Sequence, residues 1–337
     1  MHQNDKKKSY LEYLELLDPN NSLETGLVAI DLFAGTGGLA LGFEAAGIQT
    51  IGYEKDPDAV ATYNKNLHGD CFEIFLDKSV SYPEADIVIG GPPCQPFSVG
   101  GKQMGLRDSR DGFPAFVHAI ETVKPKIWMF ENVRGMLYRN KQYLREISDS
   151  LENLGYSIDI KILKAVEYNV PQNRERLIVV GHKGGYNFPA PFTHKFTAGD
   201  AVADIAYELR EDDEFLTPNQ DAYIAKYEKA SNCINPRDLH FNRPARTVTC
   251  RNLAGATGDM HRIKLADGRR KRVNVREAAR LQSFPDWFEF EGSKNSQFYQ
   301  IGNAVPPLMS YFLGLSFRDY LEGTNYSYKP EMQLQLL

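Results

Sequence analysis

The chain has 337 residues, 42% hydrophobic and 25% charged, enough for one large core or a core with a smaller lobe. No apolar run reaches the roughly 18 residues of a membrane span, and MHQNDKKKSY at the start has no apolar stretch behind it, so neither a membrane anchor nor a signal peptide is expected and the location reads as cytoplasmic. The formal net charge of −5 hides an uneven distribution: residues 237–280 hold ten Arg and two Lys against three Asp and one Glu, an excess of eight on an otherwise acidic body. Such a run is either a phosphate-binding face or an ordinary solvated surface, and charge alone does not choose.

Residues 1–26 are polar apart from LEYLELL, a short helix candidate. LVAIDLF at 27–33 reads as a strand ending in a glycine-rich turn, and ALGFEAAG as a helix closed by Gly47. IQTIGYEKD at 48–56 is a second strand, and DPDAVATYNKNL a second helix with Asp56 as cap and Pro57 at its first position. ADIVIGG at 85–91, KPKIWMFENV at 124–133 and RLIVVGH at 176–182 are further strands, with helical stretches such as FVHAIETV and YLREISDSLENLG between them. This alternation predicts an α/β fold with a doubly wound, mostly parallel sheet. After about residue 185 the periodicity weakens. The expected organisation is a catalytic domain over 1–185, a small domain over 186–288, and a segment over 289–337 that returns to the first. VNVREAARLQSF and FLGLSFRDYLEG are helices within the latter two.

The loop Asp31-Leu32-Phe33-Ala34-Gly35-Thr36-Gly37-Gly38 lies between a strand and a helix, where glycines let backbone approach a ligand. Glu54, 19 residues after Gly35, stands at the end of the next strand, placed to accept hydrogen bonds from ribose hydroxyls. Alone, Gly35-x-Gly37-x-x-Ala40 also fits a relaxed dinucleotide fingerprint, so a nicotinamide cofactor stays open at this point.

The four cysteines, Cys71, Cys94, Cys233 and Cys250, are far apart and form no C-x-x-C pair, so neither a metal site nor a disulfide framework is expected. Cys94 is the special one. It follows a buried strand and Gly90-Gly91-Pro92-Pro93, at the sheet edge where doubly wound folds bind ligands. A thiol there is activated when it faces a cation or a helix N-terminus.

The blocks DLFAGTGG, GGPPCQPFS, FENV (130–133), QNRERL (172–177), REAARLQSFP (276–285) and QIGNAVPP (300–307) come in the order seen in the DNA cytosine-5 methyltransferases, which the chain resembles from about residue 27 to 315. The resemblance implies methyl transfer from S-adenosylmethionine (AdoMet) to C5 of cytosine. It makes Cys94 the nucleophile at C6, Glu131 the group at N3 and the exocyclic amine, and Arg176 a contact to O2 and to Glu131. Arg174 is then nearer the backbone or the catalytic loop, with a structural role equally open. The implied cofactor residues are Phe33, Gly35, Thr36, Gly37, Gly38, Glu54, Lys55, Asp70, Cys71, Pro92 and Asn303. The family often has an aromatic residue after the acidic one; Lys55 departs from that and puts stacking there in doubt. No side chain suggests itself as the base for the C5 proton, so water is expected.

A thiol cannot reach C6 inside a duplex, so the base must leave the stack. Residues 94–112, with four glycines, suit a closing loop in which Ser98, Lys102, Gln103 and Arg110 face DNA. The resemblance puts target recognition at about 183–275. Candidate contacts lie in 241–252 and 259–273, with Arg243, Arg246, Arg251 and Arg262 as residues, half or more of them on phosphates. The expected partner is double-stranded DNA, with a cognate restriction endonuclease acting on the same site without direct contact, and the enzyme a monomer. A tRNA cytosine-5 methyltransferase and a non-catalytic DNA- or AdoMet-binding protein are the alternatives. An amino-methyltransferase ranks lower because Gly-Pro-Pro-Cys replaces its D/N/S-P-P-Y/F motif.

Overall fold

The computed structural model describes residues 8–93, 111–211, 213–230, 237–255 and 258–324. In chain order, α1 is Tyr10–Leu14, β1 Val28–Leu32, α2 Gly38–Ala45, β2 Gln49–Glu54, α3 Pro57–Asn66, β3 Cys71–Glu73 and β4 Ile87–Gly90. Then come α4 Phe113–Val123, β5 Ile127–Val133, α5 Lys141–Glu152, β6 Ser157–Lys164, β7 Gln172–Asn173 and β8 Glu175–His182. The remainder holds α6 Ala198–Val202, α7 Pro218–Ala230, β9 Ala245–Arg246, α8 Cys250–Ala254, β10 Arg262–Lys264, β11 Arg270–Arg272, α9 Val275–Leu281, α10 Lys294–Asn303 and α11 Pro307–Glu322.

Seven strands form one sheet in the order β3-β2-β1-β4-β5-β8-β6. The β3, β2, β1, β4 and β5 strands run parallel, whereas β8 is antiparallel to both its neighbours. Strand order reverses between β1 and β4, and a doubly wound sheet opens its crevice at the carboxyl ends of those two strands. The expected doubly wound sheet is present, with two strands that reading by periodicity left out. One is the three-residue β3. The other is edge strand β6, whose outer face is solvated.

Local chemistry explains the elements that shape this crevice. Asp56 accepts the Ala59 amide at 3.1 Å and Pro57 opens α3, as the DPDA sequence demands. Gly37 sits at φ +84° as the N-cap of α2, and a Cβ there would meet Leu67 and Tyr63. At Gly42 the backbone of Ser310 comes within 2.5 Å of where a Cβ would lie, so α11 packs directly on α2 and closes the chain's return to the first strand. Tyr10 packs on Phe196 and donates its hydroxyl to the Arg280 carbonyl, which ties the N-terminal segment to the later half.

The stretch 186–288 is irregular, as its weak periodicity suggests, but its apolar side is continuous with the main core. Phe196, Val202, Val248 and Ile263 belong to the same buried cluster as Ile89, Met129 and Leu313. Among the described residues no helix is long and apolar enough to cross a membrane, and no group of His, Cys, Asp or Glu is arranged to hold a metal ion.

Candidate active site

A cavity of about 820 Å³ occupies the crevice between the ends of β1 and β4, within the size range of small-molecule sites. The loop after β1 supplies Phe33, Gly35, Thr36 and Gly38; the end of β2 supplies Glu54 and Lys55; the turn after β4 supplies Pro92 and Pro93. Glu131, Arg174, Arg176 and Asn303 complete the opposite walls. Residues that are far apart in sequence therefore share one chamber.

Each is held for a visible reason. Glu54 Oε2 accepts the Gly35 amide at 3.0 Å and its Oε1 accepts the amides of Lys55 and Asp56, so this carboxylate fixes the glycine turn while its remaining lone pairs face the cavity. Phe33 adopts φ +58°, a strained choice for a bulky residue, which swings its ring beneath Gly112. Thr36 donates to Gln300 Oε1 at 3.1 Å and Thr62 to the same oxygen at 2.7 Å, which docks α10 on the glycine loop.

Glu131 ends β5 and is 12% exposed; Arg176 on the facing strand β8 brings Nε to 2.6 Å from its Oε1. The two side chains form a close, largely buried ion pair. Arg174 points elsewhere. Only 1% exposed, it donates to the carbonyls of Val248 at 2.8 Å and Ala304 at 2.9 Å, joining β8 to the α8 turn and to the end of α10. Burial, and then the charge of Arg176, hold its guanidinium well below the ordinary arginine range. Its Nε is buried and has no hydrogen-bond partner among the described residues.

Four features lay outside the expected set. Asp31, on β1 within the DLFAG block, lines the cavity with both carboxylate oxygens buried and, among the described residues, without a hydrogen-bond partner, and burial followed by the charge of Glu54 raises its carboxyl well above the usual range. Asn132 donates Nδ2–H to the Pro92 carbonyl at 3.0 Å, anchoring the turn that leads into Cys94; its place beside Glu131 in FENV was the available signal. Cys250, expected to be an ordinary buried thiol, is only half-buried and donates to Asn303 Oδ1 at 2.8 Å. Phe75 supplies exposed aromatic surface on the wall beside Lys55, whose amine lies 6.0 Å from its ring centre.

Some expected residues stand apart from this chamber. Asp70 and Cys71 open β3, on the far side of the strand from the crevice: the Asp70 carbonyl accepts the Gly52 amide and the Cys71 thiol packs on Gly52 in the core. The cavity is instead rimmed by Ile74, Phe75 and Leu76, past the strand's carboxyl end. Gly37 shapes the turn without lining the cavity. Arg262 is fully buried between Glu228 and Asp238, at 2.8 and 2.5 Å, so it binds the lobe together and cannot reach DNA. Arg246 is half-buried against Asp259, whereas Arg243 and Arg251 are exposed. Cys94, Ser98, Lys102, Gln103, Arg110 and Cys233 lie outside the described residues. Pro93 and Gly112, on either side of the 94–110 segment, are joined by the Gly112 amide donating to the Pro93 carbonyl at 3.0 Å.

The donor set fits AdoMet. An orphaned buried carboxylate at Asp31 matches a ligand that carries an ammonium and a sulfonium, and the Glu54 lone pairs match hydroxyl donors.

Comparison with known proteins agrees. A model of the family described as "C-5 cytosine-specific DNA methylase" matches residues 27–317. The type II methyltransferase M.AplI of Arthrospira platensis is 55% identical over 322 residues, covering 94% of this chain and 92% of that protein. M1.HphI of Haemophilus parahaemolyticus is 35% identical over 324 residues, covering 84% of each. Among solved structures, DNMT2 of Spodoptera frugiperda shares the fold with a TM-score of 0.66 at 16% identity, over 86% of this chain and 99% of that one.

Proposed function

The chain belongs to the C-5 cytosine-specific DNA methylase family, and from that premise we propose that it methylates a cytosine turned out of a specific duplex sequence through a transient bond from Cys94 to C6. It is a DNA (cytosine-5-)-methyltransferase and uses AdoMet. When bound, AdoMet supplies an electrophilic methyl on a positively charged sulfur.

The rest is done by the chain's own residues. C5 of cytosine is too weakly nucleophilic to be methylated unaided. In the proposed step the Cys94 thiolate forms a bond to C6, the C5–C6 π pair shifts toward C5, and Glu131 gives a proton to N3. Arg176 holds the Glu131 carboxylate and offers donors to O2. Once C5 carries the methyl, water removes its proton, the C5–C6 double bond re-forms, Cys94 departs as thiolate and Glu131 recovers its proton. The observation that carries this reading is the meeting of the Glu131–Arg176 pair with Pro92 and Pro93, the two residues before Cys94, in one cavity. Asp31 and Glu54 take the cofactor side, with the Asn132 tether fixing the turn between the two ends.

The biological setting we propose is a stand-alone cytoplasmic monomer that protects sites against a cognate restriction endonuclease, supported by the type II names of the relatives. Bisulfite sequencing of DNA from cells expressing the wild type and Cys94→Ser tests the reading. Protected cytosines in one short sequence should appear with the wild type only; equal protection by the variant would overturn it.

A further inference from the structure

Residues 237–280 bring an excess of eight positive charges, yet the structure leaves little of it facing outward. Arg237 and Arg246 converge on Asp259, at 2.5 and 2.8 Å, and Arg269 pairs with Asp267 at 2.7 Å. Carboxylates from outside the run are drawn in as well. Glu228 holds Arg262, Asp221 holds Arg270 and Glu214 holds Arg272. Asp213 joins Glu277 around the buried Lys271, and Asp204 and Asp286 clamp Arg280. Arg276 ends on the carbonyls of Pro285 and Phe288. A phosphate that approaches such a paired guanidinium also meets the carboxylate, so the net attraction is small.

Three cations of the run, Arg243, Arg251 and Lys264, are exposed and make no ion pair among the described residues. Lys264 lies on the β10–β11 hairpin, which contributes to none of the cavities described. Arg243 lines a notch of about 250 Å³ together with Asn173, and Asn173 also lines the neighbouring notch that holds Arg174 and Arg176. Arg251 follows Cys250, whose thiol reaches Asn303 on the wall of the main cavity. Each arginine is thus linked through a neighbouring residue to the walls around the chamber.

We propose that the attraction of residues 237–280 for DNA phosphates is concentrated at Arg243 and Arg251, and that the paired cations of this run contribute none. This rests on the DNA-methylase reading. It turns a diffuse basic segment into two anchors.

The test is duplex binding by the full chain, measured by fluorescence anisotropy across a salt series. Each neutralised phosphate contributes about 0.9 to the slope of log K against log salt. Arg243→Gln with Arg251→Gln should lower the slope by about 1.8 with an unchanged melting temperature. Arg243→Lys with Arg251→Lys should keep it, and Arg269→Gln should leave it unchanged. A double glutamine variant that retains the wild-type slope, or an Arg269→Gln variant that loses as much, overturns the proposal. A wild type whose duplex binding has no salt dependence would instead strike at the DNA reading itself.

Discussion

Asp31 and Arg262 are both charged and both buried, and their circumstances are opposite. Asp31, at the sheet's crevice, has no donor for either oxygen among the described residues. Arg262, in the later lobe, is gripped by two carboxylates and two carbonyls. The contrast extends to their neighbourhoods. Around the crevice, Arg174 Nε also has no hydrogen-bond partner among the described residues. In the lobe, arginines and lysines are matched by acids drawn from distant parts of the chain. Unsatisfied buried charged groups cost free energy, and among the described residues Asp31 and Arg174 both line the crevice, where a ligand can complete them. Satisfied ones mark where charge takes part in cohesion.

The comparison can be broken first at Glu131. Glu131→Gln keeps the shape but removes the proton, and kcat should fall by about 10²- to 10⁴-fold, with AdoMet and DNA affinities within about 2-fold; single-turnover kinetics and equilibrium binding check both halves. A variant with near-normal kcat would remove Glu131 from the chemistry. In the lobe the reverse holds. Arg262→Met removes the buried cation shared by Glu228 and Asp238 and should cost about 3–5 kcal/mol of stability in denaturant unfolding, whereas Arg251→Gln should change it by less than about 0.5 kcal/mol. If the two cost the same, the lobe is not held by its buried charges.

A smaller effect comes from His261. Burial, and then the charge of Arg246, depress its pKa from 6.5 to about 4, so the folded lobe holds the neutral ring. The stability this gives is fully present above the unfolded value near 6.5 and is lost as pH falls toward the folded value. The loss between pH 7 and pH 4 should reach about 3 kcal/mol. Melts of the wild type and His261→Gln across that range should converge at low pH; parallel curves would rule the histidine out.

Much of the crevice was legible in the sequence because its backbone is specified locally. The glycine turn, the Asp56–Pro57 helix start and the Pro-Pro segment after a buried strand each require particular residues at fixed offsets. Asp31 and Asn132 were printed in the same blocks yet passed over. Nothing in a one-dimensional reading says that a carboxylate is unpartnered or that an amide reaches back 40 residues to Pro92. The lobe was less legible for the same reason. Whether Arg243 or Arg262 faces outward depends on acids such as Glu228, which lies 34 residues from Arg262. Asp70 and Cys71 were misjudged by about one strand length, because β3 has only three residues and carries too weak a pattern to set its ends.

The account turns on whether sulfur bonds to the ring, and trapping asks that directly. Duplexes with 5-fluorocytosine at the methylated position, incubated with the enzyme and AdoMet, should give a complex that survives denaturing electrophoresis with the wild type and none with Cys94→Ser. A wild type that binds cofactor and duplex and methylates ordinary cytosine, but leaves no such complex, would contradict it.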